Sequence, residues 1–85
     1  MSDLAEKVSG LVETLVLPLV DNPEELQINT SEEANGSIYV EITCNEADSG
    51  KIIGRQGRII KAVRSLARAV IPVSSHINVD VELAN

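Results

Sequence analysis

The side chains best suited to binding chemistry lie in one short stretch, GKIIGRQGRIIK, at residues 50–61. This stretch holds three glycines, four basic residues and four isoleucines, and it holds no acid. Glycine lets another backbone approach closely, and the first free N–H groups of a helix attract anions. We therefore expect a polyanion to bind at the turn GRQG, where Arg55 adds a charge that can reach a phosphate.

The distribution of charge along the chain points to the same stretch. Six of the seven basic residues lie between Lys51 and Arg68, a segment without acids, which therefore carries a charge of +6. The rest of the chain has one lysine against thirteen acids, or −12, so that the net charge is −6. A positive block in an acidic protein favours binding of a polyanion there and repels it elsewhere. The alternative is a solvated helix face that happens to be basic.

The glycine spacing does not match the commoner phosphate-binding loops. The chain has no G-x-x-x-x-G-K-[ST] motif, and Gly50, Gly54 and Gly57 do not fit G-x-G-x-x-G. A bare G-x-x-G is common in proteins. The sequence IIGRQGRII between two predicted helices, within a basic block, is much more specific.

Hydrophobic periodicity and turn residues predict the elements that must position this stretch. The predicted helices cover residues 3–20, 46–54 and 58–70, and the predicted strands cover residues 26–30, 37–44 and 74–83. The pair Asn35-Gly36 indicates a hairpin between the first two strands. On the last helix an apolar arc lies beside a basic stripe, which consists of Arg58, Lys61, Arg64 and Arg68.

The order α-β-β-α-α-β predicts an α+β fold in a single domain, residues 1–85, with its core within residues 3–84. The second and last strands are joined through two helices and can lie parallel, whereas the hairpin strands are antiparallel. We expect a three-stranded mixed sheet with three helices packed on one face.

Composition sets further limits on the class of protein. The hydrophobic fraction of 44% is typical of a globular domain. The longest apolar run, LVLPLV, is short and contains Pro18, and the acidic N-terminus does not resemble a secretory signal. Cys44 is the only cysteine and cannot form an internal disulfide, so a reducing, cytoplasmic setting is the simplest interpretation.

The sequence resembles the KH domains in their prokaryotic, type II arrangement. The motif I-I-G-x-x-G-x-x-I is present between Ile52 and Ile60, and the resemblance covers nearly the whole chain, including LVDNPEEL at the end of the first helix. The chain is similar to the small stand-alone bacterial KH proteins. In such domains the G-x-x-G loop clamps the backbone of about four single-stranded nucleotides, and the bases lie in an aliphatic groove.

The resemblance implies single-stranded RNA binding, with the turn on sugar and phosphate and the isoleucines forming the groove or the core beneath it. The expected RNA-binding residues are Lys51, Ile52, Ile53, Gly54, Arg55, Gln56, Gly57, Arg58, Ile60 and Lys61. No cofactor or metal is expected. The resemblance further implies an RNA chaperone or post-transcriptional regulator linked to cell division and cell shape. Its implied partner is a second copy or a larger KH-containing RNA-binding protein. We expect no association with a membrane.

Other classes of function fit less well. The only histidine, His76, lies beside two serines at a predicted strand start, and no metal-ligand spacing exists, so we expect no enzyme activity. The chain has no Phe or Trp, so it lacks the aromatic platform of other RNA-binding folds. A protein-interaction module without a nucleic-acid role stays open, with Val70, Ile71 and Val73 as candidate dimer contacts.

Overall fold

The computed structural model describes residues 2–84. Its α-helices are Asp3–Val16 (α1), Ser49–Ile53 (α2) and Arg58–Ala69 (α3), and its strands are Gln27–Glu32 (β1), Ile38–Thr43 (β2) and Val79–Leu83 (β3). Short 3-10 turns lie at Leu17–Leu19, Pro23–Glu25, Glu46–Asp48 and Arg55–Gly57. The predicted order of helices and strands and the α+β class are confirmed.

The first helix begins at a capped N-terminus and ends earlier than the sequence predicts. The hydroxyl of Ser2 accepts a hydrogen bond from the Ala5 N–H at 3.1 Å, and Asp3 places an acid in the first turn. The apolar periodicity continues to Leu19, but the α-helix stops at Val16 and becomes a 3-10 turn. Pro18 has no N–H with which to continue the α-helical pattern, which explains the difference.

The three strands form one mixed sheet in the order β1-β2-β3. Strand β1 pairs antiparallel with β2, and β2 pairs parallel with β3. This pairing is the predicted one. The last strand is shorter than predicted, beginning at Val79 instead of residue 74. Its register pairs Val79 with Ile38, the first residue of β2, so the residues before Asn78 have no strand beside them.

All three helices contribute to a core on one face of the sheet. The buried apolar residues are Ala5, Val8, Val12 and Val16 of α1, Ile52 of α2, Val63 and Ala67 of α3, Ile38, Val40 and Ile42 of β2, Val79 and Val81 of β3, and Cys44. The other sheet face is polar and meets solvent, with Asp80 and Glu82 exposed on β3. Within residues 2–84, no helix is long and apolar enough to cross a membrane.

Candidate nucleic-acid interface

The turn between α2 and α3 has an unusual backbone at three of its four residues. Gly54 has φ 76° and ψ 171°, a region that is accessible essentially to glycine alone. Gln56 (φ 57°, ψ 25°) and Gly57 (φ 74°, ψ 15°) are both left-handed. Gln56 is the one non-glycine residue with positive φ in the described chain, a conformation that costs about 1–2 kcal/mol.

The two glycines of the turn serve different purposes. A Cβ atom on Gly54 would lie 2.6 Å from Ile59 Cγ1 and 2.9 Å from the Ile59 backbone nitrogen. A Cβ atom on Gly57 would meet nothing closer than Lys61 Cε, at 3.6 Å. Gly54 therefore lets α3 approach the end of α2, so the backbone that comes close to it belongs to this chain. A Cβ atom on Gly57 would make only ordinary contacts, with the Lys61 and Ile60 side chains.

Three cations surround the turn without acidic partners. Arg55, Arg58 and Lys61 are exposed, and among the residues that the structure describes none of them forms an ion pair. Arg58 donates a long hydrogen bond to Gln56 Oε1 at 3.4 Å, and Lys61 Nζ lies 3.5 Å from the Gln56 carbonyl oxygen. Their charges therefore add to the positive end of the α3 dipole, and the turn is an electropositive surface.

Lys51 lies in a different environment from these three cations. Its ammonium group pairs with Asp21 and lies 3.6 Å from Asp48 Oδ1. The hydrogen bond to Asp21, together with the charges of both carboxylates, raises the pKa of Lys51. Lys51 therefore joins α2 to the loop that follows α1, and its charge is largely compensated.

Asp48 is a buried carboxylate that fixes the position of α2. Its oxygens accept hydrogen bonds from the backbone N–H of Asp21 at 3.1 Å and of Asn22 at 3.0 Å, and from Asn22 Nδ2 at 3.2 Å. Burial alone would raise the pKa of Asp48, but these hydrogen bonds and the charge of Lys51 bring the pKa below its ordinary value of 3.8. Sequence reasoning missed this role, although the DNPEE breaker marked the loop that Asp48 holds.

The basic stripe of α3 divides into two parts. Arg64 and Arg68 do not face the turn, because their guanidinium groups donate hydrogen bonds to the Val81 and Val79 carbonyls of β3. Both also lie within 3.7 Å of Asp80 Oδ1. The free positive charge of the basic block therefore lies at the start of α3, because Arg64 and Arg68 are bound to strand β3.

The isoleucines of the motif also separate by position. Ile52 is fully buried in the core, while Ile53 is 39% exposed at the end of α2. Ile60 is half-buried and packs against the core from α3. Ile53 and Ile60 thus offer apolar surface beside the turn, and Ile52 supports it from beneath.

Comparison with known proteins decides the family. The family described as "KhpA/KhpB, KH domain" matches residues 9–83. The chain belongs to this KH-domain family. Its relatives include the RNA-binding protein KhpA of Oceanobacillus iheyensis, 44% identical over 62 residues, which cover 73% of this chain and 81% of that protein. The RNA-binding protein KhpA of Chlamydia trachomatis is 45% identical over 69 residues, 81% of this chain and 83% of its own.

Part of a solved structure shares the fold of this KhpA/KhpB-family chain. It is Era in complex with MgGDPNP and nucleotides 1506–1542 of 16S ribosomal RNA, with a TM-score of 0.54 and 19% sequence identity. The match covers 98% of this chain and 32% of the Era chain. At this identity the likeness concerns the fold alone, and it agrees with the family assignment.

Proposed function

We propose that this protein binds single-stranded RNA at the turn of residues 54–57. The observation that carries the proposal is the group of three exposed cations without acidic partners, Arg55, Arg58 and Lys61, around a glycine turn that opens α3. Membership of the KhpA/KhpB family supports it, since relatives 44–45% identical are named RNA-binding protein KhpA.

In the proposed mechanism the turn holds the sugar-phosphate backbone. A phosphate approaches the free N–H groups at the start of α3, beside Gly57, which has no side chain to stand in its way. Arg55, Arg58 and Lys61 supply charge-assisted contacts around it. Gly54 and Gln56 contribute through backbone shape, because the turn needs their positive φ values.

The bases would lie on the aliphatic surface next to the turn. Ile53 and Ile60 contact them, Ile52 supports these two from the core, and Lys51 holds α2 in place. A duplex keeps its bases stacked and paired, so the site should prefer a single strand. Because one short clamp without an aromatic platform grips few nucleotides, we expect micromolar or weaker affinity for one domain.

The test is a double substitution in the turn, Arg55→Asp with Gln56→Asp. Both side chains are exposed, so little packing depends on them, and surface changes usually cost less than about 0.5 kcal/mol. Two carboxylates would stand where a phosphodiester must approach, so RNA binding should be lost. Fluorescence anisotropy with an unstructured oligonucleotide measures binding, and circular dichroism melting measures the fold.

A charge-matched control is available on α1. Lys7→Glu with Thr14→Glu makes the same change in net charge at two exposed positions of that helix. This control should bind RNA like the parent. A turn variant that melts like the parent and still binds the oligonucleotide would exclude this site.

The cellular role and the partners are part of the same proposal and rest on the family. We propose an RNA chaperone or post-transcriptional regulator in the cytoplasm, linked to cell division and shape. It would pair with a second copy or with a larger KH-containing RNA-binding protein. Val73 and Leu66 are exposed and offer apolar surface for such pairing, whereas Val70 and Ile71 pack against the core. Sedimentation equilibrium on the isolated protein tests self-pairing.

The interaction module without RNA remains the second candidate, because apolar side chains such as Leu66 are exposed. Absorbance at 260 nm that co-purifies with the protein and disappears with RNase would favour RNA binding. A protein that dimerises but retains no nucleic acid and binds no oligonucleotide would favour the module.

A further inference from the structure

The outer edge of β3 has the properties of a pairing surface. On its inner side β3 joins β2, where the Asn78 carbonyl accepts from Ile38 N at 2.8 Å and Ala84 N donates to the Ile42 carbonyl at 2.8 Å. Alternate residues of a strand direct their backbone groups to opposite sides, so the groups of Val79 and Val81 point outward. An outward row of this kind is a template on which another strand can pair.

Two arginines of α3 cover this edge. Arg64 donates to the Val81 carbonyl from Nη2 at 2.8 Å and from Nε at 3.3 Å, and Arg68 Nε donates to the Val79 carbonyl at 2.9 Å. Val81 is fully buried and Val79 is 2% exposed. The outward carbonyls of Val79 and Val81 are therefore already occupied by side chains of the same molecule.

The arginines reach around the edge from one face of the sheet to the other. Helix α3 lies on the core face, whereas Asp80, which alternates with Val79 and Val81, lies on the solvent face. Asp80 Oδ1 is 3.6 Å from Arg64 Nε and 3.7 Å from Arg68 Nη2. Each guanidinium thus contacts a carbonyl of β3 and the Asp80 carboxylate on the far side of the strand. Arg64, Arg68 and Asp80 together cross the edge of the sheet.

We propose that Arg64 and Arg68 keep the β3 edge closed against β3 of a second copy, a contact separate from any pairing through the exposed Leu66 and Val73. The same edge on two molecules is self-complementary about a two-fold axis, where the strands would run antiparallel. Two of the outward-bonding residues of VDVEL, Val79 and Val81, are β-branched, which suits pairing. Two of the six residues of the basic block therefore serve the strand edge, independently of whether the turn binds RNA.

The test compares two variants that each remove two positive charges from α3. Arg64→Ala with Arg68→Ala uncovers both carbonyls. Arg58→Ala with Lys61→Ala removes the same charge from residues whose hydrogen bonds go to Gln56. Sedimentation velocity is measured over rising protein concentration in about 0.5 M salt, which screens the repulsion between the Asp80 and Glu82 carboxylates of two copies. The average mass of the first variant should rise to about twice that of the parent. The second variant should sediment like the parent.

Hydrogen exchange locates the new contact. On association of the first variant, amide exchange should slow in residues 79–83, the strand whose edge has been opened. An unchanged mass, or an association that protects another segment such as β1, would overturn the proposal. If the double alanine variant unfolds, Arg64→Met with Arg68→Met decides, because methionine keeps aliphatic volume on α3 and donates no hydrogen bond to either carbonyl. A methionine variant that associates with slowed exchange in β3 supports the proposal, and one that sediments like the parent overturns it.

Discussion

Gly54 and Gly57 occupy equivalent places in the motif, but the space around each is different. Family comparison alone would assign both to the approach of RNA. In the structure Gly54 has a backbone conformation reserved for glycine and lies against Ile59. Gly57 has a left-handed conformation in which an added Cβ would make only ordinary contacts. Loss of binding on substitution of Gly54 would therefore not identify an RNA contact.

Alanine substitution should separate the two glycines. Gly54→Ala places a Cβ within 3 Å of Ile59 in a region forbidden to alanine, and should destabilise the fold by about 3 kcal/mol. Gly57→Ala keeps a left-handed residue without a clash and should cost about 1 kcal/mol. Urea unfolding measures both values. Equal losses would mean that crowding at Ile59 does not determine the need for Gly54.

At the scale of elements, α1 contains a glycine that no contact requires. Gly10 is exposed in the interior of this helix, and a Cβ added to it would meet nothing within 4 Å. Gly10→Ala should stabilise the protein by about 1 kcal/mol, because glycine is a poor helix former. For a domain of this size the melting temperature should rise by about 4–8 °C. An unchanged or lower melting temperature would show that the helix needs flexibility at this position.

The hydrogen bonds that Asp48 accepts from the loop after α1 make the stability of the fold depend on pH. Because the pKa of Asp48 is lowered in the folded protein, folding favours its charged form, and this stabilisation is fully present above about pH 3.8. It is lost as the pH falls through the lower folded-state pKa. Asp48→Asn should therefore melt below the parent at pH 7, with a difference that shrinks in acid.

A control for Asp48 lies in the same turn. Glu46 is exposed, so Glu46→Gln removes a charge there without removing the hydrogen bonds to Asp21 and Asn22. It should melt near the parent at pH 7. A constant gap between Asp48→Asn and the parent across the acid range would show that the carboxylate charge is not the stabilising feature.

Local signals in the sequence were sufficient for the order of elements but not for their ends or partners. The Asn35-Gly36 pair and the alternation of β2 predicted the hairpin, and the helical spacing around the turn predicted α2 and α3. The start of β3 depends on its register with Ile38, which is a tertiary property. The periodicity of α3 placed Arg64 on the basic stripe, but a one-dimensional pattern cannot show that a strand carbonyl lies within its reach.

For the whole molecule, the number of basic residues that are free to meet phosphate determines how RNA binding should depend on salt. The block contains six cations, but Arg64 and Arg68 are held by β3, and Lys51 is paired with Asp21 and Asp48. Within residues 2–84, the cations of the block without acidic partners are Arg55, Arg58 and Lys61. Each phosphate neutralised on a single strand contributes about −0.7 to the slope of log affinity against log salt. Three contacts therefore predict a slope of about −2, whereas six would give about −4.

Single substitutions should assign this slope to residues. Arg55→Ala and Arg58→Ala should each make it shallower by about 0.7, because each removes one phosphate contact. Lys51→Ala should leave it nearly unchanged, since its ammonium is already neutralised by two carboxylates. Anisotropy titrations of an unstructured oligonucleotide at several salt concentrations give the values, with circular dichroism to establish folding. A slope near zero would make the block a solvated face, and a slope near −4 would mean that Arg64, Arg68 and Lys51 leave their partners to meet RNA.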